Sequence, residues 1–538
     1  FLMIVLRDYQ QELVDKINKS TSKRNCVQLA TGGGKTVIFS YLAQNFNGRV
    51  LILVNREELL EQTSSLFNEG FDLGFIKAGV NQIPSNRVVI AMVETLDRRL
   101  KKGLININDF DLIIVDEIQN TQFVKCFDGY ENRLLGFTAT PVTDKKERYS
   151  VCGVCSKRHK KVTTCCEEET LKANKKISLS RWYGELITGI KISELIEQCR
   201  LTPVREYVCD TPNIEKLKTD SNGGFTSKSE SEVFDDFVSI ENLVMNYERH
   251  SKGLKTMIFN STINSNNLAY EELLKRGYNV KSYDSKSKES RVKIVDWFRN
   301  APDGILMSVG VFTTGFDVDD VQSIIMNRAT KSLSLYHQIV GRGGRITDKI
   351  YKPYFKLIDL GGNVDRFNSW DFDLKWEKIY YDEKEKIVIP NEQICPECGA
   401  FNDNYFYLEP CYECGYEEEK PDPKGKETKT LIARERKPLP KPNPIIILNY
   451  ALKNDLDINE AKVKTAEYVV EMFKAAKTPK EVYAKNIKTV RNRVNQLVTP
   501  IYFALHNSEL KGNKNRTRTD FINKVIKKID AYYENTRG

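Results

Sequence analysis

Residues 1–143 alternate short apolar runs with amphipathic stretches, and this alternation narrows the fold more than any other feature of the chain. VQLA (27–30), VLILV (50–54), VVIAMV (88–93), DLIIVDE (111–117) and LLGFTAT (134–140) are strand-length runs of leucine and β-branched residues. Runs apolar along their whole length belong to strands buried on both faces, as in a parallel sheet covered by helices. IVLRDYQ (4–10) reads as a further strand-like run opening the same pattern. Residues 182–370 repeat the style with TMIFN (256–260), YNVKSY (278–283), GILMSV (304–309), SIIMN (323–327) and YFKLIDL (354–360). Helical stretches such as Asn266–Arg276 and Glu289–Arg299 lie between them. Two α/β domains of similar size are expected, at 1–143 and 182–370.

The remaining residues do not fit that pattern. Residues 144–181 form a basic, cysteine-bearing insert, 371–392 a charged linker, 393–420 a second cysteine module and 421–443 a Pro/Lys-rich linker. Residues 444–538 form a basic region whose part from 457 reads as about three helices, with a capping-box start at Thr478-Pro479-Lys480-Glu481. In the last helix Phe521, Ile522, Val525, Ile526, Ile529, Tyr532 and Tyr533 recur at helical spacing and read as core.

The net charge of +9 follows the same division. Residues 441–538 carry 19 basic and 10 acidic groups, residues 144–181 carry 11 and 5, and residues 371–420 carry 5 and 14. Outside its insert the first part of the chain is neutral, so the excess sits in two appendages. Such blocks suggest a polyanion, though a solvated lysine-rich surface gives the same count. No apolar run is long enough to span a membrane and no export signal is visible. A cytoplasmic protein without membrane contact is expected.

Three motifs carry chemistry. ATGGGKT (30–36) stands between a strand and a helix, where backbone N–H groups and the helix N-terminus favour phosphate. Thr31, Gly32, Gly33 and Gly34 would cradle the phosphates of ATP, Lys35 would reach the β- and γ-phosphates, and Thr36 would ligate Mg²⁺. Leu29 occupies the place of the usual first glycine. IIVDEIQ (113–119) ends an apolar strand in two carboxylates, suited to Mg²⁺ through Asp116 and to water activation by Glu117. QIVGRGGR (338–345) places Arg342 and Arg345 about one helical turn apart, as needed to stabilise charge on a transferring phosphoryl group.

With these motifs the chain resembles the superfamily 2 helicases over residues 4–370, in the family's motif order. RDYQ (7–10) resembles the adenine-recognising motif, with Arg7 and Gln10 as contacts. VNREELLEQ (54–62) and MVETL (92–96) resemble strand-contacting motifs, and TATP (138–141) the motif that couples hydrolysis to domain movement. FNSTINSNNLAYEEL (259–273), TTGFDVDDV (313–321) and RATKSLSLYHQIVGRGGR (328–345) resemble the second-domain motifs. The resemblance implies two tandem RecA-like domains, nucleotide contacts at Gly315 and Asp317, and a catalytic role for Gln338 beside the two arginines. Gln119 departs from the familiar Asp or His at the end of motif II, which puts its relay role in doubt. TTGFDV, SLSLYHQIVGRGGRI, IDLGGN and SNGGF (221–225) resemble the RadD/YejH group of DNA-repair ATPases, with XPB-like helicases and type III restriction motors as wider relatives. That implies a DNA-dependent ATPase or translocase of a bacterial or phage-infected cell. An RNA helicase, a restriction motor and a nucleic-acid-binding scaffold without turnover stay open.

Eight of the twelve cysteines form two clusters. Cys395, Cys398, Cys411 and Cys414 are spaced as CxxC, twelve residues, CxxC, which suits a closed tetrahedral Zn²⁺ site. The surrounding acidity argues against phosphate contact there and points to a protein partner or to the motor itself. Cys152 and Cys155 with Cys165 and Cys166 suggest a second Zn²⁺ site around the basic loop KRHKK (157–161), with His159 as an alternative fourth ligand. Cys26, Cys126, Cys199 and Cys209 read as core. His337, inside the last motif, reads equally as packing or as a contact.

Overall fold

A computed structural model describes residues 4–143, 178–209, 214–220, 224–287, 289–312, 318–381, 450–452, 456–475, 487–506 and 518–535. It also gives the backbone of short strands at 146–151, 158–159, 164–165, 168–169, 171–176, 393–394, 401–402 and 434–435.

The first domain is a seven-stranded, wholly parallel sheet. Its strands are β1 (Arg24–Gln28), β2 (Val50–Val54), β3 (Leu73–Ile76), β4 (Val88–Met92), β5 (Leu112–Asp116), β6 (Arg133–Thr138) and, after an interruption, β12 (Glu185–Thr188). Their spatial order is β12-β1-β6-β5-β2-β4-β3. Strands β2 and β5 are buried at every position, as their unbroken apolar runs require. Helices α1 (Asp8–Lys19) and α2 (Lys35–Asn45) cover one face through Leu13, Val14, Ile17, Ile38, Phe39 and Leu42. The other face packs Leu51, Leu53, Val89, Ile113 and Val115 against Phe123, Phe127 and Tyr183.

Two expectations are corrected here. IVLRDYQ is not a strand: the helix begins at Asp8, and the Arg7 N–H donates to Gln10 Oε1 at 3.0 Å. The apolar positions Tyr9, Leu13, Val14 and Ile17 follow a helical period that the β-branched start conceals. The second domain also does not begin at 182. Strand β12 pairs in parallel with β1, so the cysteine insert interrupts the first domain. Within the insert β7 (Lys146–Val151), β8 (Arg158–His159) and β11 (Leu171–Lys176) form an antiparallel sheet, and β9 (Thr164–Cys165) pairs with β10 (Glu168–Glu169).

The second domain has strands β13 (Val204–Val208), β14 (Thr256–Asn260), β15 (Val280–Tyr283), β16 (Ile305–Ser308), β17 (Ser323–Asn327) and β18 (Phe355–Asp359). They are parallel in the order β15-β16-β14-β17-β18-β13, and the short strand Arg434–Glu435 closes the edge antiparallel to β13. One core cluster joins Leu201, Tyr336 and Ile339 of this domain to Tyr9, Ala30 and Val142 of the first.

Helices Ile458–Ala475, Ile487–His506 and Arg518–Asn535 form a bundle. Phe521, Val525, Ile526 and Ile529 pack against Val469, Val494 and Val498 with Ile522 at the margin, so this part of the stripe is core, while the side chains of Tyr532 and Tyr533 lie outside the described residues. The capping-box residues 478–481 lie outside the described residues. Among the described residues no helix is long and apolar enough to cross a membrane.

Candidate active site

The order β1-β6-β5 explains how motifs far apart in sequence meet. The glycine loop follows β1, TATP follows β6 and DEIQ follows β5, and these three strands are neighbours. Their carboxyl ends therefore open side by side, the usual place for a ligand crevice in a parallel sheet.

Gly32 and Gly34 have φ of +85° and +86°, a left-handed conformation that side chains rarely adopt. Gly34 caps α2, and Lys35 and Thr36 form its first turn. Tyr9 Oη and Gln10 Nε2 donate to the Gly33 carbonyl at 3.1 and 3.2 Å. The RDYQ segment thus braces the loop from α1. Arg7 is exposed and its guanidinium donates to Tyr9 Oη at 3.3 Å. The bracing role of Tyr9 is absent from the sequence reading, which named only its neighbours Arg7 and Gln10.

Asp116 ends β5 and is buried, with Oδ1 lacking a hydrogen-bond partner. Burial, then the adjoining Glu117 charge, push its carboxyl above the usual range, and Lys35 opposes the shift. Glu117 adopts a φ of 55°. Lys35 Nζ lies 3.6 Å from its Oε1, and Gln119 Nε2 donates to its Oε2. Thr138 Oγ1 in turn donates to Gln119 Oε1 at 2.7 Å and accepts from the Thr140 N–H at 3.0 Å. Gln119 therefore bridges motif II and TATP. The residues present fit a magnesium nucleotide: a positive-φ glycine loop at a helix N-terminus, a lysine, and an orphaned buried carboxylate oxygen.

The second domain closes on this site from the other side. Gln338 lies half-buried on the helix Leu333–Val340, and Arg342 is buried just beyond it. A Cβ on Gly341 would stand 2.9 Å from Thr31 Cγ2, and one on Gly32 would stand 2.7 Å from Leu201 Cδ2. The two glycine-rich loops thus approach within van der Waals contact. Arg345 is held by its carbonyl, which accepts from Thr202 Oγ1 at 3.0 Å and Lys352 Nζ at 2.8 Å. His337 is buried beside Tyr336 and Trp376, and burial lowers its pKa to about 4. Of its two readings, packing is the one observed.

Gly315 and Asp317 lie outside the described residues. So do Cys152, Cys155, Cys166, Cys395, Cys398, Cys411 and Cys414, while only the backbone of His159 and Cys165 is given. Cys26, Cys126 and Cys199 are buried and Cys209 half-buried, as core residues should be.

Two family models match the chain. "Type III restriction enzyme, res subunit" covers residues 3–143, and "Helicase conserved C-terminal domain" covers residues 236–347. A Saccharomyces cerevisiae protein named as the ATP-dependent helicase IRC3 is 29% identical over 380 residues, or 66% of this chain and 52% of that one. A 51.5 kDa protein of a Lactococcus phage is 26% identical over 390 residues, covering 70% of this chain and 74% of that one. The EcoKI endonuclease subunit of an Escherichia coli type I restriction enzyme is 22% identical over 412 residues, covering 66% and 34%. The chain spans about half the length of the yeast relative and a third of the bacterial one. Both halves of the motor are matched in the order in which the structure assembles them, so the chain carries two domains similar to those of superfamily 2 helicases, restriction motors and IRC3-like helicases among them, and these domains support an ATP-hydrolysing enzyme.

Proposed function

We propose that this chain is a DNA-dependent ATPase that couples hydrolysis to movement along DNA, in repair, recombination or replication. The observation that carries the reading is the chain of contacts Lys35–Glu117–Gln119–Thr138, with the GRGGR loop seated against Thr31. In it Lys35 and the amide groups of residues 31–34 bind the phosphates of ATP. Thr36 and Asp116 would hold Mg²⁺, which when bound screens phosphate charge. Glu117, oriented by Lys35 and Gln119, takes the proton of the attacking water. Arg342 and Arg345 meet charge developing on the transferred group. Arg7 and Gln10 bind the base, and Gly315 and Asp317 complete the nucleotide site. The Gln119–Thr138 bond links the state of this site to TATP and so to domain movement.

DNA is favoured by the restriction-enzyme relatives and by the resemblance to the RadD/YejH group, which we take as the subfamily. The phage relative supports the cytoplasm of a bacterial or phage-infected cell. The basic insert and basic helical tail serve as handles on DNA phosphates, and the cysteine pairs as structural zinc sites, the acidic one facing a protein partner. ATPase stimulation compared across single-stranded, duplex and forked DNA and RNA tests the substrate. Strongest stimulation by RNA overturns DNA, and turnover unchanged in Lys35→Ala overturns the enzyme reading. Zinc content of the purified chain near zero removes the zinc sites. Unchanged DNA affinity after charge reversal of Lys157, Arg158, Lys160 and Lys161 removes the insert as a handle.

A further inference from the structure

Seven residues beyond Arg345, in the segment leading into β18, Lys352 is buried at 3% exposure. Its ammonium donates to the carbonyl oxygen of Arg345 at 2.8 Å and of Asp319 at 2.9 Å. Neither contact is an ion pair. The Asp319 carboxylate is taken by Lys349 at 2.7 Å and the Asp320 carboxylate by Lys255 at 2.7 Å. A buried ammonium is costly unless its donors are used, and these donors are spent on main chain. Burial draws the Lys352 pKa down to about 7, and the nearby Asp320 and Asp319 charges resist that shift.

The two carbonyls belong to different motifs. Asp319 lies in the segment 313–321 and Arg345 ends GRGGR. Thr202 pins the same backbone from a third side, with Oγ1 on the Arg345 carbonyl at 3.0 Å and N–H on the Gly344 carbonyl at 2.8 Å. Gly343 and Gly344 leave no room to shift, since a Cβ on either would overlap the Phe355 or Trp370 ring. The main chain that carries Arg345 is therefore fixed by two side-chain donors and two aromatic walls.

The geometry points to Lys352 as a positioning residue for ATP hydrolysis: it fixes the backbone of Arg345 against the segment ending at Asp319, so that the guanidinium is preset for the phosphoryl group. This rests on Arg345 acting as the arginine proposed above. Misplacement of a catalytic group by about 1 Å costs on the order of a hundredfold in rate, whereas ground-state nucleotide binding relies mainly on the first domain.

The test is DNA-stimulated ATPase kinetics on the full chain with Lys352→Met, Thr202→Val and Arg345→Ala, beside thermal melting of each. Lys352→Met is expected to lower kcat about thirtyfold with KM for ATP within about twofold, and Thr202→Val to lower kcat about threefold in the same manner. Wild-type kcat in both variants, or kcat and KM lost together in step with melting temperature, overturns the inference. If Lys352→Met does not fold, Thr202→Val decides: it keeps its backbone bond and removes only the hydroxyl, and a wild-type kcat there overturns the inference. Failure of the underlying reading shows separately, as a wild-type chain without ATPase activity or an Arg345→Ala variant at the wild-type rate.

Discussion

The two glycine-rich loops that meet across the cleft use glycine for different reasons. In ATGGGKT, Gly32 and Gly34 are needed for backbone conformation, at φ of +85° and +86°. In GRGGR no glycine has a positive φ among those recorded, and the constraint is space, because Thr31, Phe355 and Trp370 occupy the volume a Cβ would need. The first-domain side is shaped by dihedral angles and hydrogen bonds between side chains. The second-domain side is shaped by packing, with Arg342 and His337 buried in the motif. The first side is thus built by conformation and polar contacts and the second by packing that holds its arginines in place.

The largest effect is expected on the chemical side. Glu117→Gln keeps shape and the Gln119 contact surface but removes the base, so hydrolysis should fall about a thousandfold while ATP binding persists. Single-turnover hydrolysis and nucleotide titration check this. A rate within tenfold of wild type would mean that the base lies elsewhere.

Next comes the buried His337 on the packing side. Its pKa is about 4 in the fold against 6.5 when unfolded. As pH falls below about 6.5 the unfolded chain gains a proton that the folded chain refuses, so stability drops until pH reaches about 4. The whole effect is bounded at about 3 kcal/mol. Denaturation at pH 7.5 and 5 should show a larger loss in wild type than in His337→Phe, and equal pH dependence would break the packing account.

Motifs contiguous in sequence were the legible part of this molecule. GKT, DE and GRGGR declare themselves because each places its chemistry within a few residues, and the strand alternation disclosed both parallel sheets. Strand β12, only ELIT, was hidden because four residues at a sheet edge carry little periodicity. Its concealment displaced the domain boundary. Thr202 and Lys352 were invisible for another reason: they grip backbone carbonyls, which any residue supplies. Gln119 appeared as a departure from the family pattern, and only the distances to Glu117 and Thr138 show it bridging both motifs.

The glycine comparison can be tested directly by rescue. Gly343→Ala should destabilise by about 1–3 kcal/mol through overlap with Phe355. Trimming the wall with Phe355→Leu should recover part of that loss. Gly34→Ala should cost about 1–2 kcal/mol from its left-handed backbone, and Gln10→Ala, which clears the nearest side chain, should not recover it. Four single variants and two doubles, read by chemical denaturation, complete the test. Rescue at position 34, or none at 343, would exchange the two explanations.

The smallest effect concerns the bond from Gln119 to Thr138 of TATP. Gln119 donates to Glu117 and accepts from Thr138, so it loses its function when either end is cut. Loss of the hydrogen bond to the charged Glu117 is worth roughly 1.5–3 kcal/mol and loss of the neutral one to Gln119 roughly 0.5–1.5 kcal/mol, so Gln119→Ala should slow DNA-stimulated hydrolysis about tenfold and Thr138→Val up to about tenfold. The decisive number is the double variant. If the contacts act as one path, the pair should be little slower than the slower single change; if the residues act independently, the losses should multiply, up to about a hundredfold. A multiplied loss would leave Gln119 as an orienting partner of Glu117 alone, and the link from the nucleotide to TATP would then have to run through the backbone of β6, where the Leu29 N–H meets the Thr138 carbonyl at 2.9 Å.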